Sequence, residues 1–280
     1  MNNITGNPAF ALELNELTVR YGPGCPSCGE SPESLDRNRC PVCGSVWAVR
    51  GVSLRAREGE TLGIVGESGS GKSTLMRALH LDEAPTSGAY FLDGGEENLF
   101  GVSPRRRRYI RDSLLGMVYQ NPYLGLRMFF SSGANVAEKL IAAGSRNVRG
   151  MTERAEYLFR YMEIPFSRVK EPPRNFSGGM QQRVQIAKAV ANNPPVLLLD
   201  EVTTGLDLSV QARVLDLIKR VQREFGVTMI VVSHDLAVVR LLADRTAVMR
   251  DGVIIEQGLT DRILEDPRHV YTQTLVNSML

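Results

Sequence analysis

The chain lacks any apolar run close to the roughly 18 residues that a membrane-spanning helix needs. It also lacks a charge imbalance. Its 33 Lys and Arg against 31 Asp and Glu leave a formal net charge of +2, too weak a field to argue for a nucleic-acid partner. The first ten residues have no basic stretch followed by an apolar core, so no secretory signal is visible. No C-x-x-x-C-x-x-C radical-cluster motif occurs, which excludes cluster-based radical chemistry by this chain itself. The four-residue basic run Arg105-Arg106-Arg107-Arg108 has no interleaved aromatics and reads as a solvated helix face rather than a nucleic-acid surface. These absences predict a cytoplasmic protein with no nucleic-acid partner and no direct membrane insertion. It would serve a membrane only through another subunit. What remains is 280 residues that are 43% hydrophobic and 23% charged, an ordinary balance with ample core.

One motif dominates. Gly66-Glu67-Ser68-Gly69-Ser70-Gly71-Lys72-Ser73 has the form G-x-x-x-x-G-K-[ST], the phosphate-binding P-loop. A glycine-rich surface turn could share these letters. Here the apolar run Leu62-Gly63-Ile64-Val65 predicts a buried strand before the loop. Thr74 and the residues after it predict a helix behind it, which is the context the motif needs. Backbone amides and the helix N-terminus would supply positive potential. Lys72 would reach the β- and γ-phosphates, and the Ser73 hydroxyl would bind Mg²⁺.

Further motifs follow. Val196-Leu197-Leu198-Leu199 predicts a central strand ending in Asp200 and Glu201. Asp200 would hold Mg²⁺ through water and Glu201 would polarise the attacking water. A second strand, 229–233, ends at His234, a candidate hydrogen-bond donor to the γ-phosphate. Gln120 closes a strand that begins at Leu115. Ser177-Gly178-Gly179 opens a helix and forms a second candidate anion site. A helix from Ser209 to about Glu224 would bury Val210, Val214, Leu217, Ile218 and Val221 as a core stripe.

All the cysteine lies in nineteen residues. Cys25-Pro-Ser-Cys28 and Cys40-Pro-Val-Cys43 form two C-x-x-C knuckles with eleven residues between them. Such a pair can place four thiolates tetrahedrally around Zn²⁺. A disulfide pair fits a cytoplasmic P-loop protein poorly, while an Fe–S cluster stays open because thiolates alone do not settle the metal. A closed ligand set leaves no catalytic position, so the insert is expected to staple a small hairpin without a core of its own.

Taken in order, P-loop, Gln120, Ser177-Gly178-Gly179, Asp200-Glu201, Asp207 and His234 resemble the ABC-type ATPases over nearly the whole chain except the cysteine insert. The resemblance implies an α/β P-loop NTPase fold in one ATP-binding domain over residues 1–280. An antiparallel β-subdomain is expected from about residues 11–60 and 86–94, a four-cysteine insert at 22–46, and a helical signature subdomain at 122–192. It implies ATP and Mg²⁺ as ligands, with Ser73, Gln120 and Asp200 around the magnesium and the loop residues Gly66, Glu67, Ser68, Gly69, Ser70, Gly71, Lys72, Ser73 and Thr74 around the phosphates. Glu201, His234, Gln120 and Lys72 would carry the chemistry. Tyr21 matches the aromatic that stacks on adenine. A head-to-tail homodimer is implied, each P-loop facing Ser177, Gly178, Gly179 and Asp207 of the other subunit.

Within that family two branches compete. Residues 203–211 and 266–273 look like the oligopeptide and nickel importers, which work with membrane permeases. Residues 125–146, the signature Phe176-Ser177-Gly178-Gly179-Met180-Gln181-Gln182-Arg183 and the run 258–262 resemble the ATP-binding subunit of the carbon–phosphorus lyase system. In that system the ATPase docks on soluble lyase core subunits. The first reading is therefore an ATPase driving conformational change in phosphonate breakdown, and the second is an importer motor. A metal-dependent binding module with a degenerate nucleotide site is a third, disfavoured because every ATP-contacting residue type is present. Residues 123–146 would meet the partner, with Arg127 and Glu138 as interface charges. Val202 departs from the family, which has Pro after the catalytic Glu, and Met180 departs from the usual Gln of transporters.

Overall fold

The structure, a computed structural model, describes residues 10–30 and 35–278. Among the described residues the strands run β1 (Phe10–Tyr21), β2 (Val46–Arg57), β3 (Thr61–Val65), β4 (Ser87–Leu92), β5 (Leu115–Val118), β6 (Val196–Asp200), β7 (Thr228–Ser233), β8 (Arg245–Arg250) and β9 (Val253–Leu259). The α-helices are α1 (Pro26–Glu30), α2 (Lys72–Leu79), α3 (Pro104–Tyr109), α4 (Pro122–Gly125), α5 (Ser132–Ala142), α6 (Val148–Tyr161), α7 (Gly178–Ala189), α8 (Leu208–Phe225), α9 (Leu236–Leu242), α10 (Thr260–Glu265) and α11 (Val270–Asn277). None of them is long and apolar enough to cross a membrane. The chain divides into two compact units, one formed by residues up to 102 and from 232 onward, the other by 103–231.

The first unit holds an antiparallel sheet in the order β2-β1-β4. Its residues match the antiparallel region expected from the sequence. β1 sits in the middle, so it buries Leu12, Leu14, Leu17 and Val19 almost completely. The same unit pairs β3 with β8 in parallel and β8 with β9 antiparallel. Every residue of β3 is buried, as a strand covered on both faces requires. Gly63 is the reason α9 can lie close on it. A Cβ there would stand 2.6 Å from Val239 Cγ1 and 2.9 Å from Ala243 Cβ. Val65, Val239, Val248, Ile263 and Tyr271 share one apolar cluster under that helix, each large side chain contributing about 1.5–3 kcal/mol by leaving water.

The second unit holds β5, β6 and β7 in that order, with β5 and β6 parallel. Its helices start where side chains replace the missing backbone partners. Ser131 accepts from Ala134 N–H before α5, Asn147 from Gly150 N–H before α6, and Asp207 from Val210 N–H before α8. Gly226, at φ +60°, ends α8 in the left-handed conformation. The core stripe of α8 follows the expected spacing at Val214, Leu217, Ile218 and Val221, with Leu215 added. Val210 differs. It is only half-buried, because it lies in the first turn, where its methyl packs over Gly179 instead of entering the core. The four arginines of the basic run lie on or beside α3, and Arg105, Arg106 and Arg108 are exposed as expected.

Candidate nucleotide site and cysteine centre

The P-loop is built against two backbone segments of its own unit, β2 and the end of β8 with its turn, and against one side chain of α11. Gly66 is buried, and a Cβ on it would lie 2.0 Å from Met249 O. Gly71 has φ +105°, and a Cβ there would lie 2.0 Å from Ala48 O. Neither position can carry a side chain. Gly252 N–H donates to Ser70 O at 3.0 Å. Asp251 and Gly252 both have positive φ, as a two-residue hairpin turn between β8 and β9 requires. The Tyr271 hydroxyl accepts from Glu67 N–H at 3.3 Å, and Arg250 stacks 4.6 Å over its ring. Lys72 is buried. Its ammonium donates to Gly66 O and Glu67 O at 2.7 Å each and to Ser70 Oγ at 3.3 Å, which ties the two ends of the loop together. The first-turn amides of α2, at Lys72, Ser73 and Thr74, precede the helix hydrogen-bond ladder and are the donors a phosphate would use. The Ser73 side chain is exposed at the loop mouth.

Tyr21 ends β1 and is 37% exposed. Its ring is held by its hydroxyl, which donates to Glu83 Oε2 at 2.9 Å and accepts from Arg77 of α2 at 3.0 Å. His234 is exposed directly after β7. The residues on either side fix it: Asp235 N–H donates to Ser233 Oγ, and Asp235 then caps α9.

In the second unit, β6 is buried through Leu199 and opens at Asp200. Glu201 adopts φ +45°, a conformation uncommon for a non-glycine residue. A turn closed by Thr204 N–H to Glu201 O holds it there, and the Thr204 hydroxyl reaches Glu201 Oε2 at 3.3 Å. Val202 is buried beside it. Ser177 precedes α7 without capping it by its side chain. The two signature glycines leave room for the Asp207 loop: Cβ atoms would lie 3.3 Å from Leu206 at Gly178 and 2.3 Å from Val210 at Gly179. Asp207 is held ionised below its usual range by the Val210 N–H and the Ser209 hydroxyl. Gln120 is exposed, while its backbone carbonyl accepts from Gln182 of α7 at 3.2 Å.

Arg127 and Glu138, the expected interface charges, also have partners within the chain: they pair with each other at 2.6 Å, and the second oxygen of Glu138 takes Lys188 at 2.8 Å. Desolvation works against its charge, but Lys188 and Arg127 hold the Glu138 carboxyl below its ordinary value. Beside these charges the segment exposes Tyr123, Leu124, Phe129 and Phe130, the last two at 76% and 59%.

The cysteine insert closes the β1–β2 hairpin. Its chain leaves after Tyr21 and returns at Val46, the residue that pairs with Tyr21. The four sulfurs converge, with Sγ separations of 3.7 Å for Cys25–Cys28, 3.7 Å for Cys25–Cys40 and 3.8 Å for Cys28–Cys43, all four lying within 4.8 Å of one another. A tetrahedral ion with sulfur about 2.3 Å away demands edges of about 3.8 Å. The thiols are free. Backbone amides point at sulfur from Cys25 to Cys28 and from Cys43 to Cys40, and Gly44 turns at φ +71°. The Ser45 hydroxyl and its N–H hold Cys43 down to about 6. The Cys28 backbone hydrogen bond lowers Cys25. Desolvation and the sulfurs of Cys43, Cys40 and Cys28 outweigh it and push the thiol up to about 11. Four sulfurs this close ionise together only with a cation among them. The donor set fits a thiophilic metal ion.

Tyr271, Gln182 and the Lys188 ammonium have no local sequence signal, because each acts on a residue far away along the chain.

Comparison with known proteins agrees with this architecture. The profile of the ABC transporter family matches residues 49–204. The putative phosphonates utilization ATP-binding protein PhnK of Escherichia coli is 42% identical, over 96% of this chain and 97% of that protein. The oligopeptide transport ATP-binding protein OppD of Bacillus subtilis is 40% identical, over 84% of this chain and 67% of its own length. Among solved structures, the ATP-binding cassette MJ0796, described as a dimer in a post-hydrolysis state bound to ADP and Pi, superposes with a TM-score of 0.74 at 29% identity. It covers 89% of this chain and 98% of its own.

Proposed function

This chain belongs to the ABC transporter family and is one of its ATPases. From that premise we propose that it dimerises on ATP and drives a conformational change in a carbon–phosphorus lyase complex of phosphonate catabolism. The observation that carries this reading is the end-to-end likeness to PhnK, which leaves almost nothing of either chain unmatched. Importer relatives such as OppD extend well beyond the matched region.

The site residues take the roles of the family pattern. Gly66, Glu67, Ser68, Gly69, Ser70, Gly71, Lys72, Ser73 and Thr74 bind the phosphates, and Tyr21 stacks on adenine. Ser73, Gln120 and Asp200 would hold Mg²⁺, which when bound would supply positive charge to offset that of the transferring phosphoryl group. Glu201 accepts the proton of the attacking water, and His234 donates to the γ-phosphate. Ser177, Gly178, Gly179 and Asp207 complete the site of the second subunit in a head-to-tail homodimer. A structural Zn²⁺ sits among Cys25, Cys28, Cys40 and Cys43. The protein works in the cytoplasm, and the exposed apolar surface of residues 123–130 meets the partner.

The second reading is a motor for oligopeptide, nickel or phosphonate import through membrane permeases, and its peptide form is supported by OppD. One experiment separates the two. The Glu201→Gln variant keeps ATP bound and loses about 10²–10⁴-fold in hydrolysis, the worth of one positioned base. Tagged and pulled down with ATP from a phosphonate-grown host, it captures soluble phosphonate-degrading subunits on the first reading. Capture of permeases alone installs the second.

A further inference from the structure

The Gln120 segment is fastened to the signature helix by a buried amide that neither the sequence motifs nor the family pattern singles out. Gln185 lies two turns into α7, eight residues after Ser177, and is 1% exposed. Its Oε1 accepts from Tyr119 N–H at 2.7 Å, and its Nε2 donates to Tyr119 O at 3.0 Å. One side chain thus takes both backbone groups of the residue before Gln120, a two-point grip that a single hydrogen bond would not give. The same Nε2 donates to Gln182 Oε1 at 2.7 Å, and Gln182 Nε2 donates onward to Gln120 O at 3.2 Å. Both amides are therefore fixed in orientation as well as in place.

The segment is shaped to receive this grip. A Cβ on Gly125 would lie 2.2 Å from Gln185 Oε1, so glycine there is what lets α4 close over the amide. Lys188, one residue short of a turn further along α7, donates to Gly125 O at 2.8 Å. Residues 119–125 are thus held to one face of the signature helix at both ends.

We propose that Gln185 is a positioning residue for the ATPase reaction. It locks the backbone at Tyr119 to α7, so that Gln120 meets Mg²⁺ at a set place and moves with Ser177-Gly178-Gly179 as one body. This rests on the reading of Gln120 as a magnesium ligand.

The test measures steady-state ATPase of the full chain against Mg²⁺ concentration at fixed ATP. Gln120→Ala raises the Mg²⁺ needed for half-maximal rate, which checks the underlying reading. Gln185→Leu keeps the volume but loses the grip. It lowers kcat by about 10- to 100-fold, the effect of a misplaced group, and raises the Mg²⁺ requirement in the same direction, with the KM for ATP within about twofold. Gln185→Glu keeps the acceptor for Tyr119 N–H but not the donor and falls between. Gly125→Ala, which drives a methyl into the amide, reproduces the Gln185→Leu profile. Adding Gln185→Ala to Gly125→Ala removes the clash without restoring the hydrogen bonds, and the defect stays. Recovery of wild-type kinetics in that double variant would show that packing alone matters and overturn the proposal. An unchanged Mg²⁺ profile in Gln185→Leu beside an impaired Gln120→Ala overturns the clamp but keeps the role of Gln120. An unchanged profile in Gln120→Ala removes the reading on which the clamp stands.

Discussion

The P-loop and the cysteine hairpin are two candidate ligand loops of one compact unit, and they get their shape from opposite sources. The P-loop is pressed into folded backbone: Gly66 against Met249 O, Gly71 against Ala48 O, and Glu67 N–H against the hydroxyl of Tyr271. Its form is a by-product of the core. In the hairpin, among the described residues between 22 and 45, only Cys28, Cys40 and Ser45 are buried. Two of these are candidate metal ligands and the third hydrogen-bonds to a ligand, so nothing apolar is left to hold the loop. Besides backbone hydrogen bonds such as Trp47 N–H to Asn38 O at 2.7 Å, a metal ion among the four sulfurs is the stabiliser that this loop's residues would allow. The two loops meet along β2, where Val46-Trp47-Ala48 leaves the hairpin and supplies the carbonyl over Gly71. A pre-built site should tolerate loss of its ligand and fail when its backbone is disturbed. A ligand-built site should do the reverse.

Gly71→Ala is the severest test of the first half. The added methyl would meet Ala48 O at 2.0 Å and the backbone would stay at φ +105°. Strain of this kind costs about 1–3 kcal/mol, and the overlap adds a similar amount. Chemical denaturation should show a loss of about 3 kcal/mol or more, and equilibrium ATP binding should vanish. A variant with wild-type stability would show that the loop is not seated as firmly as β2 implies.

The cysteine centre should invert that pattern. Cys40→Ser, or a strong chelator, should strip the metal entirely, from about one Zn²⁺ per chain to none. Amide exchange should then rise across residues 22–45 while the unfolding midpoint of the core moves by no more than a few degrees. Iron with visible charge-transfer absorption would replace zinc as the ion. A hairpin that stays protected without any metal would erase the contrast altogether.

Lys72→Ala lies between these extremes. Its ammonium ties Gly66 O, Glu67 O and Ser70 Oγ, and in the family pattern it also serves the β- and γ-phosphates. Removing it should weaken ATP binding by about 10- to 100-fold, as loss of a charge-assisted contact worth about 1.5–3 kcal/mol predicts. The fold should survive, because the glycine contacts remain. Calorimetric titration with the nonhydrolysable analogue measures the first, and thermal unfolding the second.

The contrast also explains what could be read from sequence. Strands 62–65, 115–118, 196–200 and 228–233 were legible because buried parallel strands are continuous apolar runs that end at polar motif residues. The cysteine centre was legible because ligand spacing is local. The supports were not. Tyr271 reaches Glu67 across 204 positions, and Gln185 reaches Tyr119 across 66. No periodicity encodes a single long-range hydrogen bond. For Arg127 and Glu138, charge type alone could not show that each already had the other as partner.

The smallest effect is the most discriminating, because it separates two reasons for glycine within one loop. Gly69 has φ +84°, as left-handed as Gly71, yet a Cβ on it would meet nothing within 4 Å. Gly69→Ala therefore carries the conformational cost without the clash, about 1–2 kcal/mol. That cost is partly offset because alanine also restricts the unfolded chain, by about 0.4–1 kcal/mol. The net loss in denaturation should be about 1 kcal/mol, against about 3 or more for Gly71→Ala. If the two variants lose the same amount, backbone angle alone governs the loop and its seating against Ala48 contributes nothing. If Gly69→Ala is nearly neutral while Gly71→Ala unfolds the unit, the P-loop is held by what surrounds it, as its contacts with β2 and the β8–β9 turn require.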